Sequence, residues 1–109
     1  MVARHVFMIW IHPIFRESVY LLLDHPEVEW VGITSDLETA INEILSVKPD
    51  TILIEEDTQI PSGLLNILEN CSWDFRLMGI NLSDNQLNLY RHEQQILWRA
   101  EDLLQLVLK

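Results

Sequence analysis

The sequence predicts an α/β fold in which helices cover both faces of a mainly parallel β-sheet. Short apolar runs suited to buried strands recur at residues 4–11, 28–34, 51–55 and 76–82. Segments with the apolar spacing of amphipathic helices separate these runs. The run at 51–55 leads into three consecutive carboxylates, and open parallel sheets place their functional sites at the carboxyl ends of strands.

Length and composition indicate one globular domain over residues 1–109. Apolar residues make up 49% of the chain, enough for a single core. The net charge is −10, and the seven Lys and Arg residues do not cluster, so we expect neither nucleic-acid binding nor binding to a membrane surface. The apolar stretch at 6–11 is too short to cross a membrane. The single cysteine, Cys71, cannot form an internal disulfide, which suits a cytoplasmic location.

The first strand and helix are predicted from a continuous apolar run and two prolines. Residues 4–11 are apolar on both faces, as in a central strand. Pro13, after His12, suits the first turn of a helix because its missing N–H would have no partner there. Pro26 lies beyond the end of that helix, and residues 28–34 form the second strand.

The second and third helices flank the third strand. Ser35 or Asp36 is a candidate N-cap, because either side chain can accept a hydrogen bond from the first turn. This helix runs to about Val47. The third strand covers 51–55, and the third helix covers about 62–70.

After the strand at 76–82 the pattern changes. Residues 83–85 form a turn cluster, and residues 86–90, with the sequence QLNLY, alternate as in a half-buried strand. Residues 95–98 form another short strand, and residues 100–108 form an amphipathic helix. We therefore expect three βα units, a fourth strand, an antiparallel hairpin and a final helix.

The string HPIFRES at 12–18 resembles the start of the first helix in receiver domains of two-component response regulators. The similarity continues over 25–55 and covers about the first two-thirds of the chain. It implies a flavodoxin-like, CheY-like three-layer sandwich with strand order 2-1-3-4-5. Here an antiparallel hairpin near the C-terminus replaces helix four.

The resemblance also implies a phosphorylation chemistry, most of whose parts are missing. In receiver domains two acidic residues at the end of strand one hold Mg²⁺, and an aspartate at the end of strand three accepts the phosphoryl group. Here the acidic pair falls on Trp10 and Ile11, and the acceptor position falls on Glu55. We expect the indole of Trp10 to fill the space that the metal needs.

The other positions of the receiver site are only partly matched. Asp57 is a second candidate acceptor, because its spacing to Pro61 imitates the family's Asp-x-x-x-Pro, although it lies two residues past the upstream register. Ser83 matches the hydroxyl position. The lysine position falls near Trp98 or Arg99, and neither is a lysine.

The resemblance therefore implies a degenerate pseudo-receiver, a non-catalytic interaction or signalling module that is not phosphorylated and uses no metal or cofactor. We expect a protein partner or a homodimer. Two alternatives remain open: a phosphoacceptor domain that uses Asp57, and a small domain that binds a divalent metal or a ligand. The second alternative would use Glu55, Glu56 and Asp57, with His12 as a further ligand.

The QLNLY strand is a candidate interaction edge, formed by Gln86, Leu87, Asn88, Leu89 and Tyr90. At a sheet edge its unpaired N–H and C=O groups would offer a place for another strand. The alternative is a hairpin protected by its own twist and by neighbouring polar groups.

Overall fold

Strands and helices alternate through the first two-thirds of the chain, and two further strands precede the last helix. A computed structural model describes residues 3–56, 62–70, 73, 75–81, 83–84, 86–91, 94–99 and 103–108. The elements in chain order are β1 (Arg4–Ile9), α1 (Pro13–Leu22), β2 (Val28–Thr34), α2 (Leu37–Val47), β3 (Thr51–Glu55), α3 (Ser62–Asn70), β4 (Arg76–Asn81), β5 (Gln86–Arg91), β6 (Gln94–Arg99) and α4 (Leu103–Leu108).

All the described strands join one sheet, in the order β2-β1-β3-β4-β5-β6. β1 pairs in parallel with β2 and β3, and β3 pairs in parallel with β4. β5 is antiparallel to β4, and β6 is antiparallel to β5. The predicted α/β fold, the strand order 2-1-3-4-5 and the C-terminal hairpin are confirmed, and the layout is consistent with a flavodoxin-like sheet. Only four residues separate β4 from β5, too few for a crossover helix.

Alternating residues of the strands build two cores, one on each face of the sheet. α1 and α4 cover the first core, and α2 and α3 cover the second. The first core contains Val6, Met8, Phe15, Val19, Leu23, Leu53, Met78, Ile80, Leu87, Leu89, Leu103 and Val107. The second contains Phe7, Ile9, Ala40, Ile44, Ile52, Ile54, Leu64, Phe75 and Leu77. The helices on both faces make the three layers that the sequence predicts.

The pairing of β5 corrects the position of the candidate interaction edge. Residues Gln86–Tyr90 pair with β4 on one side and with β6 on the other, so both sides of this strand are used. β6 is instead the last strand of the sheet order. The physical reason is that β6 begins two positions after the end of β5 and pairs with it as a further antiparallel strand.

A β-bulge shapes the pairing of β1 with β2. Val6 pairs with Trp30, and the next residue, Phe7, pairs with Gly32, so the register shifts by one residue. The Phe7 ring lies against Gly32, and a Cβ built there would overlap the ring atom Cε2. Glycine is required at this position because the ring occupies the space of a side chain.

Hydrogen bonds fix the ends of two helices. Asp36 is the N-cap of α2, and its side chain accepts from the backbone N–H of Thr39 at 3.2 Å, so one of the two predicted caps is confirmed. At the other end of the sheet, the Arg76 guanidinium donates to the carbonyl of Val107 in α4 at 2.8 Å. A cation at a helix C-terminus also interacts favourably with the helix dipole. Among the helices described, none has the length and hydropathy of a membrane span.

Candidate functional site

The candidate site lies where β1 and β3 end, at the carboxyl edge of the parallel strands. β1 and β3 are direct neighbours, with Ile9 paired to Ile54. Glu55 is therefore next to the loop that leads from β1 into α1. This loop consists of Trp10, Ile11 and His12. The sequence predicted this edge as the site because the chain crosses from strand to helix there.

The carboxylate of Glu55 binds the loop at the start of α1. Its Oε1 accepts hydrogen bonds from the backbone N–H groups of Ile11 and His12, both at 2.8 Å. Its Oε2 makes a short contact with Nδ1 of the His12 ring. His12 is the N-cap of α1, and its own side chain makes no capping hydrogen bond. The Glu55 carboxylate thus supplies negative charge at the positive end of the helix.

The surroundings of Glu55 keep it ionised. Burial raises the pKa of this carboxyl group, whose side chain is only 12% exposed. Hydrogen bonds from the His12 ring and from the two backbone N–H groups, with the charge of His12, lower the pKa by more. The net pKa of Glu55 lies below its ordinary value. The carboxylate is therefore a fixed negative charge at neutral pH.

The indole of Trp10 packs against the first core. The ring is half-buried, and the guanidinium carbon of Arg16 lies 4.7 Å from its centroid, a cation–π contact. The cleft beside Glu55 is lined by His12 and by other side chains, and Trp10 is not one of them. Core packing and Arg16 hold the ring in this place. The expectation that the indole fills the space that a metal ion needs stays a prediction.

A cleft of about 460 Å³ opens beside Glu55. Its lining residues are His12, Ile14, Phe15, Glu55, Glu56, Ile80, Asn81 and Ser83. Glu56 accepts a hydrogen bond from the Asn88 side chain at 2.9 Å, so β5 also contributes to this edge. The structure thus brings together four residues singled out from the sequence: His12, Glu55, Glu56 and Ser83.

Two other predicted site residues are not placed in this cleft. Asp57 lies outside the described residues. Arg99 is described only by its backbone, which pairs with Gln86 in the last pair of the hairpin. Ile11 does border the site, since its N–H binds Glu55 and its side chain is exposed.

Sequence reasoning missed two contacts at this edge. His12 was considered only as a metal ligand, whereas it is a hydrogen-bond partner of Glu55. The N-cap position of His12 could have indicated the contact with Glu55. His is a poor capping residue, so the first N–H groups of the helix need an acceptor from elsewhere in the chain. Asn88 was considered only as part of an edge strand, and no local pattern links it to Glu56, 32 positions earlier.

The described side chains offer little for metal binding. Within the described part of the chain, no group of three or more His, Cys, Asp or Glu side chains could hold a metal ion. The contact between His12 and Glu55 can orient the His12 imidazole and anchor the start of α1. The Glu55 carboxylate also accepts hydrogen bonds from two backbone N–H groups.

No protein-family model matches the chain, and no curated protein is significantly similar to it. What the fold and the site define is a small α/β domain with a flavodoxin-like strand order. At the carboxyl edge of its sheet, the half-buried Glu55 binds the backbone at the start of the first helix.

Proposed function

We propose that this chain is a pseudo-receiver: a CheY-like domain that acts as a non-catalytic protein-interaction module in signalling and is not phosphorylated. One observation carries this proposal. The carboxylate of Glu55, at the acceptor position of the receiver pattern, already binds two backbone N–H groups and the ring of His12.

These contacts argue against phosphoryl transfer to Glu55. An acceptor carboxylate must present a free oxygen to the phosphorus atom, beside a metal ion that offsets the charge of the phosphoryl group. Both oxygens of Glu55 are engaged with the β1–α1 loop. At the end of β1, the side chains of Trp10 and Ile11 offer no carboxylate ligand for Mg²⁺. In this proposal Glu55 holds a fixed negative charge at the position where the charge of a receiver domain is switchable.

The two alternatives rest on Asp57 and on the acidic cluster. Phosphorylation of Asp57 would still need a bound Mg²⁺, and the end of β1 supplies no carboxylate for it. A metal site at Glu55 and Glu56 would compete with the hydrogen bonds that these side chains already make to His12 and Asn88. The pseudo-receiver is favoured because it leaves the hydrogen bonds of Glu55 and Glu56 intact.

Treatment with acetyl phosphate and Mg²⁺, followed by intact-mass measurement, tests this proposal. We expect no added phosphoryl group, under conditions in which an active receiver domain run in parallel is modified. Calorimetric titration with Mg²⁺ should give no saturable heat. An adduct of one phosphoryl group that disappears in the Asp57→Asn variant would establish the first alternative instead. Saturable Mg²⁺ binding that is lost in Glu56→Gln would establish the second.

A further inference from the structure

Exposed apolar side chains are concentrated on and beside the first helix. Of the eight large hydrophobic side chains that are exposed in the described part of the chain, five lie between residues 11 and 22. They are Ile11, Ile14, Tyr20, Leu21 and Leu22. Such a local concentration is typical of an interaction surface, whereas isolated exposed apolar residues are common on any protein.

The outer face of α1 alternates apolar and acidic residues. Ile14, Glu17 and Leu21 follow the spacing i, i+3, i+7, which places them on one face of the helix. Ile14 is 69% exposed, Leu21 is 74% exposed, and the Glu17 side chain is 66% exposed. The exposed Asp24 follows three residues later, just past the helix end. We call Ile14, Glu17, Leu21 and Asp24 the α1 ridge.

The domain does not need the α1 ridge for its own core. Phe15, Val19 and Leu23, in and just after the same helix, are buried and pack into the first core. The nearby cation, Arg16, lies over the Trp10 ring and reaches Glu17 only at 4.0 Å. The carboxylate of Glu17 therefore remains largely in water between two exposed apolar side chains.

Charge decides what can cover this ridge. A second copy of the chain would bring another ridge of the same sign, because the chain carries a net charge of −10. In a parallel pairing Glu17 would face Glu17. In an antiparallel pairing Glu17 would face Leu21, which takes the carboxylate out of water while the nearby Arg16 guanidinium stays 4.0 Å away, over the Trp10 ring. A helix with Lys or Arg at alternate positions of its apolar face would pair both acidic residues and cover both apolar ones.

We propose that the α1 ridge is a docking surface for a basic amphipathic helix of a partner protein. This inference rests on the proposed function as an interaction module and names its surface and the class of its partner. The surface adjoins the candidate site, because Ile14 also lines the cleft beside Glu55. Glu55 therefore holds the end of the helix that presents the ridge.

Fluorescence anisotropy with two synthetic peptides tests this proposal. Both are three-heptad helical peptides whose contact face alternates leucine with a charged residue. The charged residue is lysine in the probe and glutamate in the control. The lysine peptide should bind the full chain at least tenfold more tightly, and added salt should weaken it. Leu21→Ser should weaken that binding about tenfold, because it removes a leucine from the contact.

Two variants distinguish binding at the α1 ridge from non-specific binding to exposed apolar side chains. Leu45→Ser removes a side chain on α2 that is also half-exposed but lies outside the ridge, and it should leave binding unchanged. Glu17→Lys should abolish the preference for the lysine peptide and gain binding to the glutamate peptide. Circular dichroism would verify that each variant is folded.

Several outcomes would overturn the proposal. Equal binding of the two peptides would remove the role of charge, and unchanged binding by Leu21→Ser would remove the role of the ridge. Sedimentation that shows a dimer dispersed by Leu21→Ser would assign the surface to a second copy. None of these results bears on phosphorylation, so the proposed function would still stand or fall on the acetyl phosphate experiment.

Discussion

Replacing Glu55 by alanine tests whether this side chain holds the first helix in place. The change removes the acceptor of two backbone hydrogen bonds and of the His12 contact. A hydrogen bond to a charged group contributes about 1.5–3 kcal/mol. The N–H groups of Ile11 and His12 lie at exposed positions, so water can replace part of what is lost. We therefore expect a loss of about 2 kcal/mol in the free energy of unfolding, a decrease in Tm of roughly 8–16 °C for a domain of this size.

The effect should depend on pH in a defined direction. The pKa of Glu55 in the folded protein lies below its ordinary value of 4.5. The unfolded chain therefore binds a proton more readily at this residue. The stability that Glu55 contributes is present in full above that value, and it is lost as the pH falls through the folded-state pKa. The difference between the wild-type protein and Glu55→Ala should thus persist from about pH 7 to about pH 5 and shrink below about pH 4.

Urea unfolding, followed by circular dichroism at several pH values, measures both effects. Glu43→Ala is the matched control, because Glu43 is an exposed glutamate in the interior of α2. It should change the free energy of unfolding by less than about 0.5 kcal/mol. A loss for Glu55→Ala as small as that of the control would refute the reasoning. A loss of the same size at pH 7 and pH 3.5 would also refute it, because the charge of the carboxylate would then have no part in the effect.

Three further substitutions test the fold around the site. Gly32→Ala should lower the free energy of unfolding by about 1–3 kcal/mol, because the alanine Cβ would meet the ring of Phe7. An unchanged urea midpoint would show that the ring moves aside freely. Arg76→Met removes the donor to the Val107 carbonyl, so it should lower the free energy of unfolding by about 1–2 kcal/mol and speed hydrogen exchange in α4. Unchanged exchange would show that core packing alone holds that helix. Asp36→Ala should lower the free energy of unfolding, and Asp36→Ser should recover most of the loss. Equal losses in both variants would argue against a capping role.

The sheet was predictable because its information is local. The run Thr51–Ile54 is continuous, apolar and rich in β-branched residues, as in a strand covered on both faces. The structure places it between β1 and β4, with all four residues buried. The change to polar–apolar alternation at Gln86–Tyr90 correctly indicated a strand of another kind. Alternation does not reveal how many strands flank it, so the edge was assigned one strand too early.

The candidate site was predictable in position but not in its contacts. Parallel strands end at the same edge, so Glu55 had to lie near the β1–α1 loop. The direction in which a side chain turns depends on neighbours that are distant in sequence. Trp10 packs on the same core as Val6 and Met8, and Arg16 lies over its ring. The His12 ring contacts Glu55, and that contact is not encoded in spacing or composition.

The central position of β1 has a consequence for how quickly this domain folds. The first strand of the chain lies between β2 and β3, so its hydrogen bonds form only after the chain has passed through two helical crossovers. β5 is separated from β4 by four residues and from β6 by two. Short loops close faster than long ones. The antiparallel ribbon should therefore assemble early during refolding, and closure of the crossovers around β1 should set the overall rate.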